Sequence, residues 1–284
     1  MTPLALIVQA RGGRVEGSDR ALDQGRDAAK FDFLRARGVR LHPQDGSGVR
    51  RADQILVTSA AVEDTVPDVQ AARRIGAAMT TRARLLAELF NGSCCGIGVA
   101  GTSGKSTTTG MIGWILHRAG RNPTIMNGAE MKNFISVGSP FAGVRIGDGE
   151  EFVCEVDESD GSIALFTPRV AVVNNISLDH KPLDELRILF RGFASKGHTV
   201  VLNLDNVETA ALVIDLRPGQ AVTWSRSDTR ADLLAGSPVC SPGGIAFPVK
   251  ARASGKVVDV LRAGPGPRLS CCTVAQKTVP RRGA

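Results

Sequence analysis

The 284-residue sequence predicts an α/β protein with parallel sheets, and three observations carry that prediction. Short apolar runs alternate with amphipathic stretches along most of the chain, the pattern of βα units. One run, Ile97–Ala100, passes through Gly101-Thr102-Ser103-Gly104 into a helical stretch over 105–119, giving strand, glycine-rich turn and helix in succession. Several other runs end on polar or charged residues, as strands do where an open sheet meets a ligand at its carboxyl ends.

In chain order, residues 3–11 are apolar and helix-like and stop at Gly12-Gly13. A short strand begins within 14–17 and runs into Ser18-Asp19. An amphipathic helix over 26–37, strands over 39–41 and 52–59, a helix opened by Pro67 and another over 79–90 complete a first domain, residues 1–90. A dinucleotide-type domain opens with a strand and a Gly-x-Gly-x-x-Gly turn. No such turn precedes Gly12, so an incomplete Rossmann-like domain is expected. The second domain, residues 91–260, contains the 97–119 unit, which Gly120 stops. Strands follow over 123–126, 151–157, 170–175, 199–203 and 221–224, with a helix over 183–194. The expected architecture there is a P-loop ATPase-type parallel sheet. Residues 261–284 lose periodicity, carry Gly-Pro-Gly-Pro and Pro-Arg-Arg, and are expected to be a disordered basic tail.

Composition narrows the function classes. The apolar fraction of 43% supports real cores, and with no tyrosine those cores are mainly aliphatic. No apolar run reaches the ~18 residues that span a bilayer, and no secretion signal is visible, so a cytoplasmic protein without a membrane partner is expected. Cys94, Cys95, Cys154, Cys240, Cys271 and Cys272 form no Cys-x-x-Cys pair, which speaks against a disulfide framework or a zinc site. The net charge of +7 is local: from Gly236 onward there are eight Lys or Arg and one acid, and the preceding residues balance at 27 of each. No aromatics interleave with that charge, so nucleic acid is not an expected partner.

The chemistry gathers at the ends of the apolar runs. Gly101 and Gly104 let a turn bring backbone N–H groups up to phosphate oxygens. Lys105 can reach the terminal phosphates of a nucleotide, and the Ser106 hydroxyl can hold magnesium. The general phosphate-loop pattern has a glycine where Val99 stands; Gly98 and Gly101 flank it instead. A plain glycine-rich turn with an exposed lysine is the competing reading. It leaves the hydroxyl run Ser106-Thr107-Thr108-Thr109 unexplained. A second run ends Glu155-Val156-Asp157-Glu158-Ser159-Asp160, four acids in six residues, whose mutual repulsion a divalent cation would offset. An acidic surface loop is the alternative. A third run ends Asn174-Asn175-Ile176-Ser177-Leu178-Asp179-His180, where a neutral imidazole could ligate a metal with Asp179 orienting it, or His180 could be structural.

Together these segments resemble the Mur ligases, ATP-dependent amide ligases of peptidoglycan precursor synthesis, and within them the alanine-adding and murein-peptide branches. Gly101-Thr102-Ser103-Gly104-Lys105-Ser106-Thr107 matches the family's phosphate loop. The 155–160 segment is similar to Glu-Ala-Asp-Glu-Ser-Asp, and residues 175–180 fit Asn-Ile-x-x-Asp-His. Asn203-Leu204-Asp205-Asn206 resembles the stretch that contacts adenine, and Gly17-Ser18-Asp19 with Thr58-Ser59-Ala60 are similar to the nucleotide-sugar domain. The resemblance implies ATP and magnesium as cofactors, with Ser106, Glu155 and His180 as metal ligands and Lys105, Glu155 and His180 as catalytic residues. It implies a UDP-N-acetylmuramate-type substrate whose carboxylate becomes an acyl phosphate, and an amino acid or peptide whose amine displaces phosphate. It also raises the expectation that the family's C-terminal domain is absent and that the segment after Val260 follows a shifted reading frame, near codons 255 to 265. A truncated protein that binds ATP and magnesium without ligating is the alternative function.

Overall fold

The computed structural model describes residues 1–59, 62–136, 141–242, 244–263 and 272–276. The chain divides into two compact units, Met1–Leu89 and Phe90–Ala284.

The first unit contains α1 (Thr2–Ala10), β1 (Glu16–Ser18), α2 (Arg20–Asp23), α3 (Ala28–Ala36), β2 (Arg40–His42), β3 (Ile55–Thr58), α4 (Pro67–Ile75) and β4 (Ala78–Thr81); α5 (Arg82–Asn91) follows. Its strands form two parallel pairs, β1 with β2 and β3 with β4, rather than one continuous sheet. Phe31 and Leu34 of α3 pack with Ala21 and Val39 in a small aliphatic-aromatic core. Asp19 caps α2 by accepting from the Ala21 N–H at 2.9 Å. The helix expected over 79–90 begins with a strand: Ala78–Thr81 pairs in register with Ile55–Thr58 before α5 starts at Arg82. Two adjacent threonines suit an extended pleat better than a helix interior.

The second unit holds β5 (Cys95–Ala100), α6 (Lys105–Arg118), β6 (Thr124–Met126), β7 (Val144–Arg145), β8 (Glu151–Glu155), β9 (Val170–Val173), α7 (Leu183–Lys196), β10 (Thr199–Asn203), α8 (Val207–Ala211), β11 (Ala221–Ser225), β12 (Leu233–Ala235), β13 (Val239–Ser241), β14 (Gly244–Ala251), β15 (Val257–Ala263) and β16 (Cys272–Gln276). Among the described residues these strands make one sheet. Its parallel centre runs β12-β11-β10-β9-β5-β8-β6, with antiparallel β7 on one edge and β14, β15 and β16 on the other. β8 and β9, consecutive in sequence, lie on opposite sides of β5. The strand order therefore reverses around β5, where open α/β sheets bind ligands.

The core explains the sequence pattern locally. Phe152, Val153 and Cys154 are all buried, as expected of a strand covered on both faces. α7 buries Leu186, Phe190, Phe193 and Ala194, one stripe of a 3.6-residue period. Gly98 lets the Phe193 ring lie directly on β5, where an added Cβ would come within 2.9 Å of Cζ. The tail expected to be disordered from residue 261 differs in its described part. Val257–Ala263 pairs antiparallel with β14, and Cys272–Gln276 pairs with β15. The Val-Val-Asp-Val-Leu run supplies the extended propensity that the neighbouring Gly and Pro obscured. Residues 264–271, with Cys271, and 277–284 lie outside the described residues.

Candidate functional site

The parallel register brings the carboxyl ends of β5, β8 and β9 together, with Val99 opposite both Glu155 and Val172, and Ala100 opposite Val173. Gly101-Thr102-Ser103-Gly104 leaves the end of β5, and α6 begins at Lys105. Gly101 has φ 143° and Gly104 φ 77°, values that favour glycine. Gly104 is the N-cap of α6 and offers no side-chain cap, so the first-turn N–H groups face the loop's mouth, where the helix dipole favours an anion.

The loop is held from β9. Asn175 accepts from the Thr102 hydroxyl at 2.8 Å and the Ser103 N–H at 3.0 Å, and its own amide donates to the Ser103 carbonyl at 3.1 Å. The Thr102 N–H donates to the Asn175 carbonyl at 3.1 Å. Asn174 reaches under the helix start and donates to Thr108 Oγ1 at 3.0 Å.

From the other side, β8 meets the loop with two carboxylates. Ser106 donates to Glu155 Oε2 at 2.7 Å. Lys105 Nζ contacts both oxygens of Glu158, at 3.1 and 2.9 Å, and donates to the Gly101 carbonyl at 2.8 Å. The Glu158 side chain is 5% exposed and that of Lys105 20%. Glu155 lies against Gly128, where an added Cβ would fall 1.9 Å from Oε1. Buried Asn127 precedes that glycine and donates to the Ser106 carbonyl at 3.0 Å.

The acidic run does not converge on one point. Asp157 caps the Ser159 N–H at 2.9 Å and Asp160 the Ser162 N–H at 2.8 Å, leaving Glu155 and Glu158 to face the loop. Thr107 is exposed at the helix start. Asn203 donates to the Asn174 carbonyl at 3.1 Å and accepts from the Asp205 N–H at 2.9 Å. Asp205 accepts from the Ser225 hydroxyl and, at 2.8 Å, from the Arg226 N–H. Partial burial raises its carboxyl, but these and the Ser227 bonds outweigh it and leave the group below its ordinary value.

His180 is not brought into this cluster. Its side chain is 80% exposed, and its ion-pair contact is with neighbouring Asp179, at 3.5 Å. Residues 177–182 are irregular and lie largely at the surface, with Leu178 76% exposed and Lys181 tied to Glu185. Among the described residues no three His, Cys, Asp or Glu side chains converge as a metal cluster. The oxygens of Ser106 and Glu155 nonetheless suit magnesium, a hard cation that keeps several waters and takes few protein ligands. Asn127 and Gly128 are site residues that the sequence did not single out; Glu158, Asn174 and Asn175 stand in the two polar runs singled out there, without a role of their own. The signal for Asn127 and Gly128 is a polar residue and a glycine immediately after a buried strand.

Comparison with known proteins gives this geometry its family. Residues 99–249 match the Mur ligase middle domain, and residues 1–93 match the Mur ligase family, catalytic domain. A UDP-N-acetylmuramate–L-alanine ligase from a Synechococcus species is 40% identical over 215 residues, covering 74% of this chain and 42% of that protein. One of the same name from Solibacter usitatus is 34% identical over 259 residues, covering 89% and 52%. This chain thus spans about half the length of the curated relatives it matches. Among solved structures, a murein peptide ligase from Psychrobacter arcticus superposes with TM-score 0.76 at 22% identity, over 94% of this chain and 59% of that one. The UDP-N-acetylmuramate–alanine ligase of Thermotoga maritima gives 0.72 at 20%, over 92% and 57%. The fold is shared with both, the middle-domain match alone covers more than half of the sequence, and the chain belongs to the Mur ligase family.

Proposed function

We propose that this chain carries the nucleotide-phosphate site of an ATP-dependent acid–amino acid ligase in peptidoglycan precursor synthesis, acting in the cytoplasm on a UDP-N-acetylmuramate-type substrate. The observation that carries the reading is the convergence of Lys105, Ser106, Glu155 and Glu158 at the strand-order reversal, on a loop fixed by Asn175. The first-turn amides of α6 and the Lys105 ammonium would hold the phosphates. Ser106 and Glu155 would hold magnesium, which when bound neutralises charge between triphosphate and carboxylate. His180 lies outside that set in this conformation. In the proposed reaction a substrate carboxylate oxygen takes the γ-phosphoryl group, releasing ADP. An amine then forms the amide as inorganic phosphate leaves. Phosphoryl transfer asks mainly for positioning and charge stabilisation, which a loop clamped by Asn175 supplies.

Phosphate release from ATP is expected only when UDP-N-acetylmuramate and an amino acid or peptide are both present. Lys105→Ala is expected to abolish ATP binding. ATP binding without substrate-dependent phosphate release would support the second reading, a nucleotide-binding chain that does not ligate. Wild-type and Lys105→Ala chains of equal ATP affinity would refute the site.

A further inference from the structure

Both functional side chains of the phosphate loop are closed on carboxylates from the same strand end. Ser106 is taken by Glu155, and the Lys105 ammonium by Glu158. An ammonium has three N–H donors. Here they face the Gly101 carbonyl and the two oxygens of one carboxylate. Glu158 therefore stands where an anionic ligand of Lys105 would stand, and its own buried charge has Lys105 as its ion-pair partner. The other acids of the run differ: Asp157 and Asp160 accept from backbone N–H groups of the turn that follows.

We propose that Glu158 is an internal counter-ion latch on Lys105 that makes nucleotide binding conditional on a divalent cation. This inference rests on the nucleotide reading above. A phosphate chain that recruits Lys105 must draw it off Glu158. That leaves a carboxylate, nearly excluded from water, unpaired beside a polyanion and three residues from Glu155. Breaking a buried ion pair by removing one partner is strongly unfavourable. A divalent cation arriving with the nucleotide offsets the exposed negative charge, so the metal–nucleotide complex displaces the latch and the bare nucleotide does not. Glu158 acts through Lys105 and is a positioning residue.

The test is ATP affinity of the full chain by calorimetry, with magnesium and with chelator. In the wild type, magnesium strengthens binding. In Glu158→Gln, binding of metal-free ATP tightens about tenfold, the scale of one charge-assisted hydrogen bond, while binding of magnesium-ATP changes little, so the magnesium dependence shrinks by that factor. A merely structural role would weaken both affinities together and leave their ratio unchanged, and that result overturns the latch. Glu158→Asp, which shortens the reach to Lys105 and keeps the charge, is expected to shift the ratio in the same direction by less, and it carries the test if the glutamine variant does not fold. A wild type that binds ATP with no change in ratio in either variant refutes the latch alone. A wild type that binds no ATP under either condition refutes the nucleotide reading and the latch with it.

Discussion

Asn175 supports the phosphate loop from outside it. Its side chain makes hydrogen bonds to Thr102 and to both backbone groups of Ser103, 72 and more residues away in sequence. Asn175→Ala is expected to cost about 0.5–1.5 kcal/mol of stability, the net worth of a hydrogen bond where water can replace the lost partner, and to weaken ATP binding more than its stability loss alone implies, because the loop amides lose their fixed direction. Urea unfolding and calorimetry on the same variant check both, and an ATP affinity equal to wild type would contradict the clamp. Gly128 makes a second residue-scale claim. A Cβ there would fall 1.9 Å from Glu155 Oε1, so Gly128→Ala must displace the carboxylate. It is expected to weaken magnesium-dependent ATP binding while leaving metal-free binding near wild type. Lys105 and Ser106 were legible in the sequence because their chemistry is local to the loop. Asn175 stood out there only as part of the Asn-Ile-x-x-Asp-His run and Gly128 not at all, because the clamp and the close approach exist only once β9 and β6 are placed beside β5 and β8.

At the scale of elements, the long periodic segments were the legible ones. α6, α7 and β10 follow from their apolar spacing, and the helix opened by Pro67 is observed as α4. β4 was hidden because four residues of extended chain cannot outweigh the helical pattern that follows them. The run from β12 to β15 was hidden because Gly236, Pro238, Pro242, Gly244, Pro248 and Gly255 interrupt it, which weakens the alternation signal. What fastens that edge to the parallel centre is partly electrostatic. Asp232 leads into β12, accepts from the Thr223 N–H of β11 at 2.9 Å, and pairs with Arg252 just beyond β14 at 2.8 Å. The Arg252 guanidinium first, and the Thr223 N–H second, hold the Asp232 carboxyl below its ordinary value. A carboxyl lowered in the folded state contributes stability above its unfolded value, about 3.9, and loses it as pH falls through the folded value. Asp232→Asn is therefore expected to lower the thermal midpoint at pH 7, with the gap to wild type closing as pH falls below about 4 and through the lowered folded value. A gap that stays constant down to the acid limit would contradict the assignment.

At the scale of the whole molecule, sequence and structure agree on α/β architecture and on the family, while the division into Met1–Leu89 and Phe90–Ala284 decides how a ligand acts. Every residue placed at the candidate phosphate site, from Gly101 to Asp205, belongs to the second unit. The resemblance of Gly17-Ser18-Asp19 to a nucleotide-sugar segment concerns the first. A ligand that binds only the folded state stabilises it by RT ln(1 + [L]/Kd), about 2.7 kcal/mol at a hundredfold excess over Kd. For magnesium-ATP that gain is expected in the unit that makes the contacts. Hydrogen exchange is expected to slow by up to about a hundredfold in β5 and β9, whose amides open with the unit's global unfolding. The largest local change is expected at 101–107 and 174–177, where the loop and its clamp meet. In Lys105→Ala the protection is expected to vanish at the same ATP concentration. Protection confined to residues 1–89 would move the nucleotide site to the other unit, and protection that survives Lys105→Ala would show that ATP is held elsewhere than on this loop.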